Sequence, residues 1–182
     1  MKQLLTAAVL LLCAGIVACS SADPKAEIQA QEAELQKVMS DEANSSPDAI
    51  STVHKSLIAA YESFTADPKN SLDSEEYFRL AELYESVGQY NKTISTLETL
   101  RTKHPESKRA GDALFKVGFI YHNNLGDLVK AEDTYRKFIN KYPDHHFRDD
   151  AEVEIKYLGV SPEEFLEQRR KELAADSANV AQ

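Results

Sequence analysis

The sequence predicts an all-α fold, a short α-solenoid built of helix pairs and closed at its ends by capping helices. Three observations predict it. No sustained alternation of β-branched residues bounded by turns occurs in the 182 residues, so strand signals are scarce. Gly and Pro number six each and Trp is absent, a soluble composition rich in helix formers. The third observation is that the chain repeats itself.

One segment reads Tyr77-Phe78-Arg79-Leu80-Ala81-Glu82-Leu83-Tyr84, then Gly88, and ends at Leu100 and His104-Pro105. A second reads Leu114-Phe115-Lys116-Val117-Gly118-Phe119-Ile120-Tyr121, then Gly126 and Ala131, and ends at Phe138 and Tyr142-Pro143. Ala81 aligns with Gly118 at a spacing of 37 residues, and Pro105 with Pro143 at 38, so one residue is inserted at the turn. Each unit reads as helix, tight turn, helix, proline. Gly88 and Gly126 fit just past a helix end, where a left-handed backbone is needed, and the prolines stop the second helix. Gly118 lies inside a helix, at a cost of about 1 kcal/mol relative to Ala. That cost is tolerable where a neighbouring helix comes too close for a side chain. Thr93 stands where the second unit has Ala131, a departure that predicts looser packing there.

Partial units flank the clear ones. Ile28, Leu35 and Val38 share one side of a helix over 26–39. Asp41 to Ser46 reads as a loop. Pro47 opens a helix over 47–66 that carries Ile50, Val53, Leu57, Ile58, Tyr61 and Phe64. Arg148 to Leu158 begins a third repeat that aborts at Gly159. Ser161-Pro162-Glu163-Glu164 then forms a capping box and opens a closing helix through about Leu173, with Phe165, Leu166 and Leu173 covering the last open face.

The first nineteen residues have a separate logic. Lys2 supplies a positive start, Leu4 to Ala18 is mostly apolar, and Ile16-Val17-Ala18-Cys19 closes the run. The stretch reads as an export signal, too short for an ordinary membrane-spanning helix. The chain divides into a signal peptide 1–18, a tether 19–25, a helical domain 26–176 and a flexible tail 177–182. The net charge of −9 becomes −10 once Lys2 is removed, and such a surface repels phosphate backbones, which argues against nucleic acid. Of the two cysteines only Cys19 survives cleavage, leaving no disulfide and no redox thiol.

The signal's last four residues resemble the lipobox of bacterial lipoproteins. That resemblance implies acyl chains such as palmitate on Cys19 as the only covalent group, with no other cofactor. One chain anchors marginally, at about 0.8 kcal/mol per buried methylene, and several anchor durably. Ser20 after the cysteine implies sorting to the outer membrane without fixing the side the domain faces, and the expected location is the periplasmic side. The repeats, with Tyr77, Leu80, Ala81, Tyr84 and again Leu114, Val117, Gly118, Tyr121 in order, resemble the tetratricopeptide repeat family. Their long period is similar to that of periplasmic members such as the TolA-binding division coordinator and the lipoprotein of the β-barrel assembly machine. The resemblance implies a right-handed solenoid of tetratricopeptide-like helix pairs that binds a protein or peptide and is not an enzyme. First helices line the groove in that family, which places Glu75, Phe78, Glu82 and Glu85 of one repeat, Phe115, Phe119, His122 and Asn123 of the next, and Val153 and Tyr157 after them, on an aromatic and acidic face. The same aromatics read equally well as core. The Lys, Asn and Arg with which some members clamp a peptide carboxylate are missing from these positions.

His145-His146 lies near Asp144, Asp149 and Asp150. Two adjacent side chains that point apart rarely make a metal site, so none is assigned. His104 takes the packing slot that Tyr142 fills in the next repeat, and His54 reads as solvated. No nucleophile elbow, phosphate-cradling glycine loop or His-x-x-x-His pair occurs. The expected function is a lipid-anchored adaptor in envelope biogenesis, β-barrel assembly or division. The alternatives are an accessory lipoprotein of a secretion or nutrient-uptake complex, or a metal-binding or enzymatic protein using His145, His146 and nearby carboxylates.

Overall fold

The computed structural model describes residues 24–40 and 46–180. The expected signal segment, Cys19 and the tether up to Asp23 lie outside the described residues, as do residues 41–45 of the expected loop and the last two residues of the expected tail. The described residues form eight helices and no strand: α1 (Pro24–Ser40), α2 (Pro47–Ala66), α3 (Ser74–Ser86), α4 (Tyr90–Lys103), α5 (Arg109–Asn123), α6 (Leu128–Lys141), α7 (Arg148–Lys156) and α8 (Pro162–Val180). Among them no helix is long and apolar enough to cross a membrane.

Helices α1 to α7 pack in sequence, each against the next, and α3 also touches α5. The result is the α-solenoid of helix pairs that the repeat predicts. Local signals start and stop these helices. Ser46 accepts from the Ala49 N–H with Pro47 at the first turn of α2, and Asp73 with Glu76 forms a reciprocal capping box on α3. Gly88 and Gly126 have φ of 74° and 64°, the left-handed values expected at these turns.

Two layers of apolar side chains fill the interior. The larger joins α1 to α5 through Leu35, Leu57, Tyr61, Leu72, Leu83, Leu97, Leu100 and Ile120, and the smaller joins α5 to α7 around Leu114, Tyr135, Phe138 and Ala151. Ile28 and Leu35 pair α1 with α2, where the Tyr61 hydroxyl donates to Glu32 at 3.0 Å. Gly118 is explained by Tyr135: a Cβ at position 118 would stand 2.8 Å from that ring. The matched Ala81 is fully buried.

Two expectations need correction. Thr93 does not loosen the first repeat. It is fully buried, and its hydroxyl donates to the Gln89 carbonyl at 3.2 Å, which satisfies the polar atom inside the helix. The closing helix does not cover the end of the stack either. The Ser161 box forms as expected, with the Ser161 N–H donating to Glu164 and the Glu164 N–H to Ser161 Oγ. Phe165 meets Tyr157 edge-on at 4.7 Å, and Glu172 accepts from Lys156 and Tyr157. At 100° per residue, Phe165 and Glu172 share one edge of α8, whereas Leu166 and Leu173 lie roughly 80–100° further round. Those two leucines are 61% and 59% exposed. Helix α8 continues to Val180, into the segment expected to be a tail.

Candidate functional site

The site grows from the contact of α3 with α5 and from the six-residue linker 142–147 between α6 and α7. Helix periodicity places Phe78 on α3 and Phe115 and Phe119 on α5 along one face. The linker, which is neither helix nor strand, brings Phe147 across to stack on Phe115 at 4.7 Å and 20°. Arg109, at the first position of α5, lies 4.7 Å above the Phe78 ring, and Lys116 lies 5.9 Å from it. Together with Asp112 and His146 these side chains line an open pocket of about 490 Å³.

Phe78, Phe115 and Phe119 therefore do come together, and they divide between the two roles the sequence left open. Phe115 packs on Tyr135 and Phe138 and belongs largely to the core, whereas Phe119 is 38% exposed. The acidic residues do not leave the face acidic. Glu75 accepts from Arg109 at 2.7 Å, Glu85 pairs with Lys116 at 2.6 Å, and Glu82 lies 4.0 Å from Arg79. Two matched cations thus neutralise the rim, and both already hold a carboxylate. The Glu75 hydrogen bond holds the Arg109 pKa above its ordinary value.

The other expected groove residues sit elsewhere. His122 Nδ1 meets Glu154 at 2.9 Å, tying α5 to α7. Asn123 turns its amide back onto the Phe119 carbonyl. Tyr157 is committed to Glu172 and Phe165 on α8, and Val153 is exposed on α7.

Sequence reasoning missed Arg109, Asp112, Lys116 and Phe147 as pocket residues. The signal that could have found them is the repeat register itself, because Phe147 falls 38 residues after Arg109 and both lie over the matched phenylalanines Phe115 and Phe78. The readings of His54, His145 and His146 also change. His54 is half-buried, with Nδ1 2.8 Å from Ser86 Oγ, and burial holds its pKa below 6.5. His104 packs as expected, tilted against Tyr77 with Nε2 3.0 Å from the Leu72 carbonyl oxygen. His145 and His146 do not point apart. Their rings stack at 4.3 Å and 24°, and both Nε2 atoms face Asp112 rather than the linker's own aspartates.

No curated protein compared with the chain matches it. Residues 77–107 and 112–145 match the tetratricopeptide repeat family, each span covering a first helix, the turn glycine and a second helix. Repeats of this kind mediate protein–protein interaction. Within residues 77–107 and 112–145 the chain is therefore similar to the tetratricopeptide repeat family.

Proposed function

We propose that the protein is a lipid-anchored, non-catalytic adaptor of the Gram-negative cell envelope. Acyl chains on Cys19 hold it on the periplasmic side of the outer membrane, and the α3/α5 face docks a segment of a protein partner. The anchor rests on the sequence of residues 1–20, with its positive start, apolar run and terminal Ile-Val-Ala-Cys. The single observation that carries the docking role is the pocket between Phe78, Phe119 and Phe147. It lies on the first helices of two stacked repeats, and its volume of about 490 Å³ falls within the range of pockets that bind ligands.

The occupant it fits is a peptide that inserts an apolar side chain between the rings. Arg109 and Lys116 are positioned to meet a flanking carboxylate once Glu75 or Glu85 yields. Assembly or division machinery of the envelope would supply such a partner.

Two experiments test the reading separately. Cys19→Ala should move the protein from the membrane fraction to the soluble periplasm, and unchanged sedimentation contradicts the anchor. A photo-crosslinking residue at position 119 should capture one partner in cells, and Phe78→Ala should abolish that product. Equal yields from position 119 and from exposed Val129 contradict docking in the pocket.

A further inference from the structure

We propose that Asp112, His145 and His146 form a binding site for a divalent transition metal, with Zn²⁺ the best-matched ion. Asp112 Oδ1 and one ring nitrogen of each histidine lie within 4.8 Å of one another. His145 Nε2 is 3.2 Å and His146 Nε2 4.0 Å from that oxygen. Ligand atoms of a tetrahedral ion with bonds of about 2.0 Å stand about 3.3 Å apart, so the spacing suits one ion once exposed His146 rotates out of its stack on His145 and turns its Nε2 toward the common centre. Two imidazoles and one carboxylate are a donor set that Zn²⁺ accepts, with a fourth position left open.

Two further observations mark the cluster as built. Asp112 Oδ1 is shielded from solvent yet receives no well-directed hydrogen bond, although His145 stands nearby. Arg109 serves only the other oxygen, and a buried acceptor left in that condition is costly until a donor or a cation meets it. The second is Gly111, inside the first turn of α5. A Cβ there would stand 2.6 Å from His145 Cδ2 and 2.8 Å from Nε2. The chain thus has a helix-weakening residue at the one place where the imidazole edge must pass to reach Asp112.

The surroundings permit a cation. Arg109 Nη1 holds the other carboxylate oxygen at 3.2 Å and fixes its direction, and Glu75 offsets the guanidinium charge. Asp144 and Lys108 line the same open cleft of about 530 Å³ as the histidines, with opposite charges.

Besides the rotation of His146, loading requires a proton shift on His145. His145 Nδ1 accepts from the Phe147 N–H at 3.2 Å, so the neutral ring carries its proton on Nε2. A metal on Nε2 moves that proton to Nδ1 and opens this local contact. The ion would clip the α6–α7 linker onto α5, the helix that also lines the pocket, so its effect is independent of any lipid anchor.

The test is calorimetric titration of the EDTA-stripped full chain in detergent with ZnCl₂, together with ¹⁵N shifts of the histidine rings. One Zn²⁺ per chain is expected, with both rings showing Nε2 ligation. Asp112→Asn and His146→Ala should each weaken binding at least about tenfold, the smallest loss usual even for supporting residues of such sites. His146 is largely exposed, so its removal keeps the fold. An Asp149→Asn Asp150→Asn variant should bind as the parent does. No saturable binding overturns the proposal. Equal affinity in the Asp112 and His146 variants overturns it as well, as do unmoved histidine shifts.

Discussion

The α3–α4 and α5–α6 repeats share a skeleton and differ in what their linkers carry. Where the first repeat has Ala81, Thr93 and His104, the second has Gly118, Ala131 and Tyr142. These slots all do the same packing work, and Ala81, Thr93 and Ala131 are fully buried. The linkers diverge in chemistry. After α4 the chain brings Arg109 over Phe78, and after α6 it brings Phe147 over Phe115 at the same 4.7 Å. Arg109 binds both Glu75 and the matching Asp112, but only Asp112 also faces two imidazoles. Packing is therefore fixed by the repeat, and recognition varies in the first turns of the first helices and in the linkers that precede them.

The largest effect that would break this comparison comes from the two cores. Phe138→Ala should cost about 3–5 kcal/mol and the matched Leu100→Ala about 2–5 kcal/mol. Both should lower a single cooperative transition in denaturant titrations. If only one variant moved the main transition, the repeats would be separate units rather than one stack. Next, Gly118→Leu should cost on the order of 1–3 kcal/mol by overpacking against Tyr135, and an unaltered melting temperature would show that α5 and α6 stand further apart.

The repeat skeleton was legible because each of its signals is local. The turn glycines, stop prolines and 3.6-residue spacing of Tyr77, Leu80, Ala81 and Tyr84 each act within a few residues, and α2 starts and ends where Pro47 and the apolar stripe place it. The site was half legible. Phe78, Phe115 and Phe119 follow from helix periodicity, but Arg109–Glu75 spans 34 residues and His145–Asp112 spans 33. Such pairs depend on how one helix lies on another, which spacing along the chain does not encode. The stacking of His145 on His146 was unreadable for a related reason, since a linker free of helix or strand geometry can turn neighbouring side chains to the same side.

A smaller effect, at His145 in the second linker and His54 inside α2, is read by pH. Burial depresses the His145 pKa, with His146 adding to the shift against a smaller opposite effect from Asp112, and burial together with Arg79 depresses that of His54. A depressed imidazole leaves the unfolded chain to take up the proton first, so stability is full above about pH 6.5 and falls as the pH drops below it. Thermal melts at about pH 7.5 and about pH 5.5 should show this loss, and His54→Gln with His145→Gln should flatten it. A parent protein equally stable at both values would contradict the burial of these rings. The smallest expected effect is at the open end, where Leu166→Ser should change stability by less than about 0.5 kcal/mol. A loss of several times that size would mean that α8 covers the stack after all.

The central claim is that a small residue lets two helices meet closely at matched points of stacked pairs. It is tested most directly by proton NMR of the contact between Gly118 and Tyr135. The account predicts strong nuclear Overhauser effects from the Gly118 α-protons to the Tyr135 ring, with those α-protons displaced by its ring current. Their absence, with Tyr135 instead showing contacts to solvent-facing residues, would contradict it.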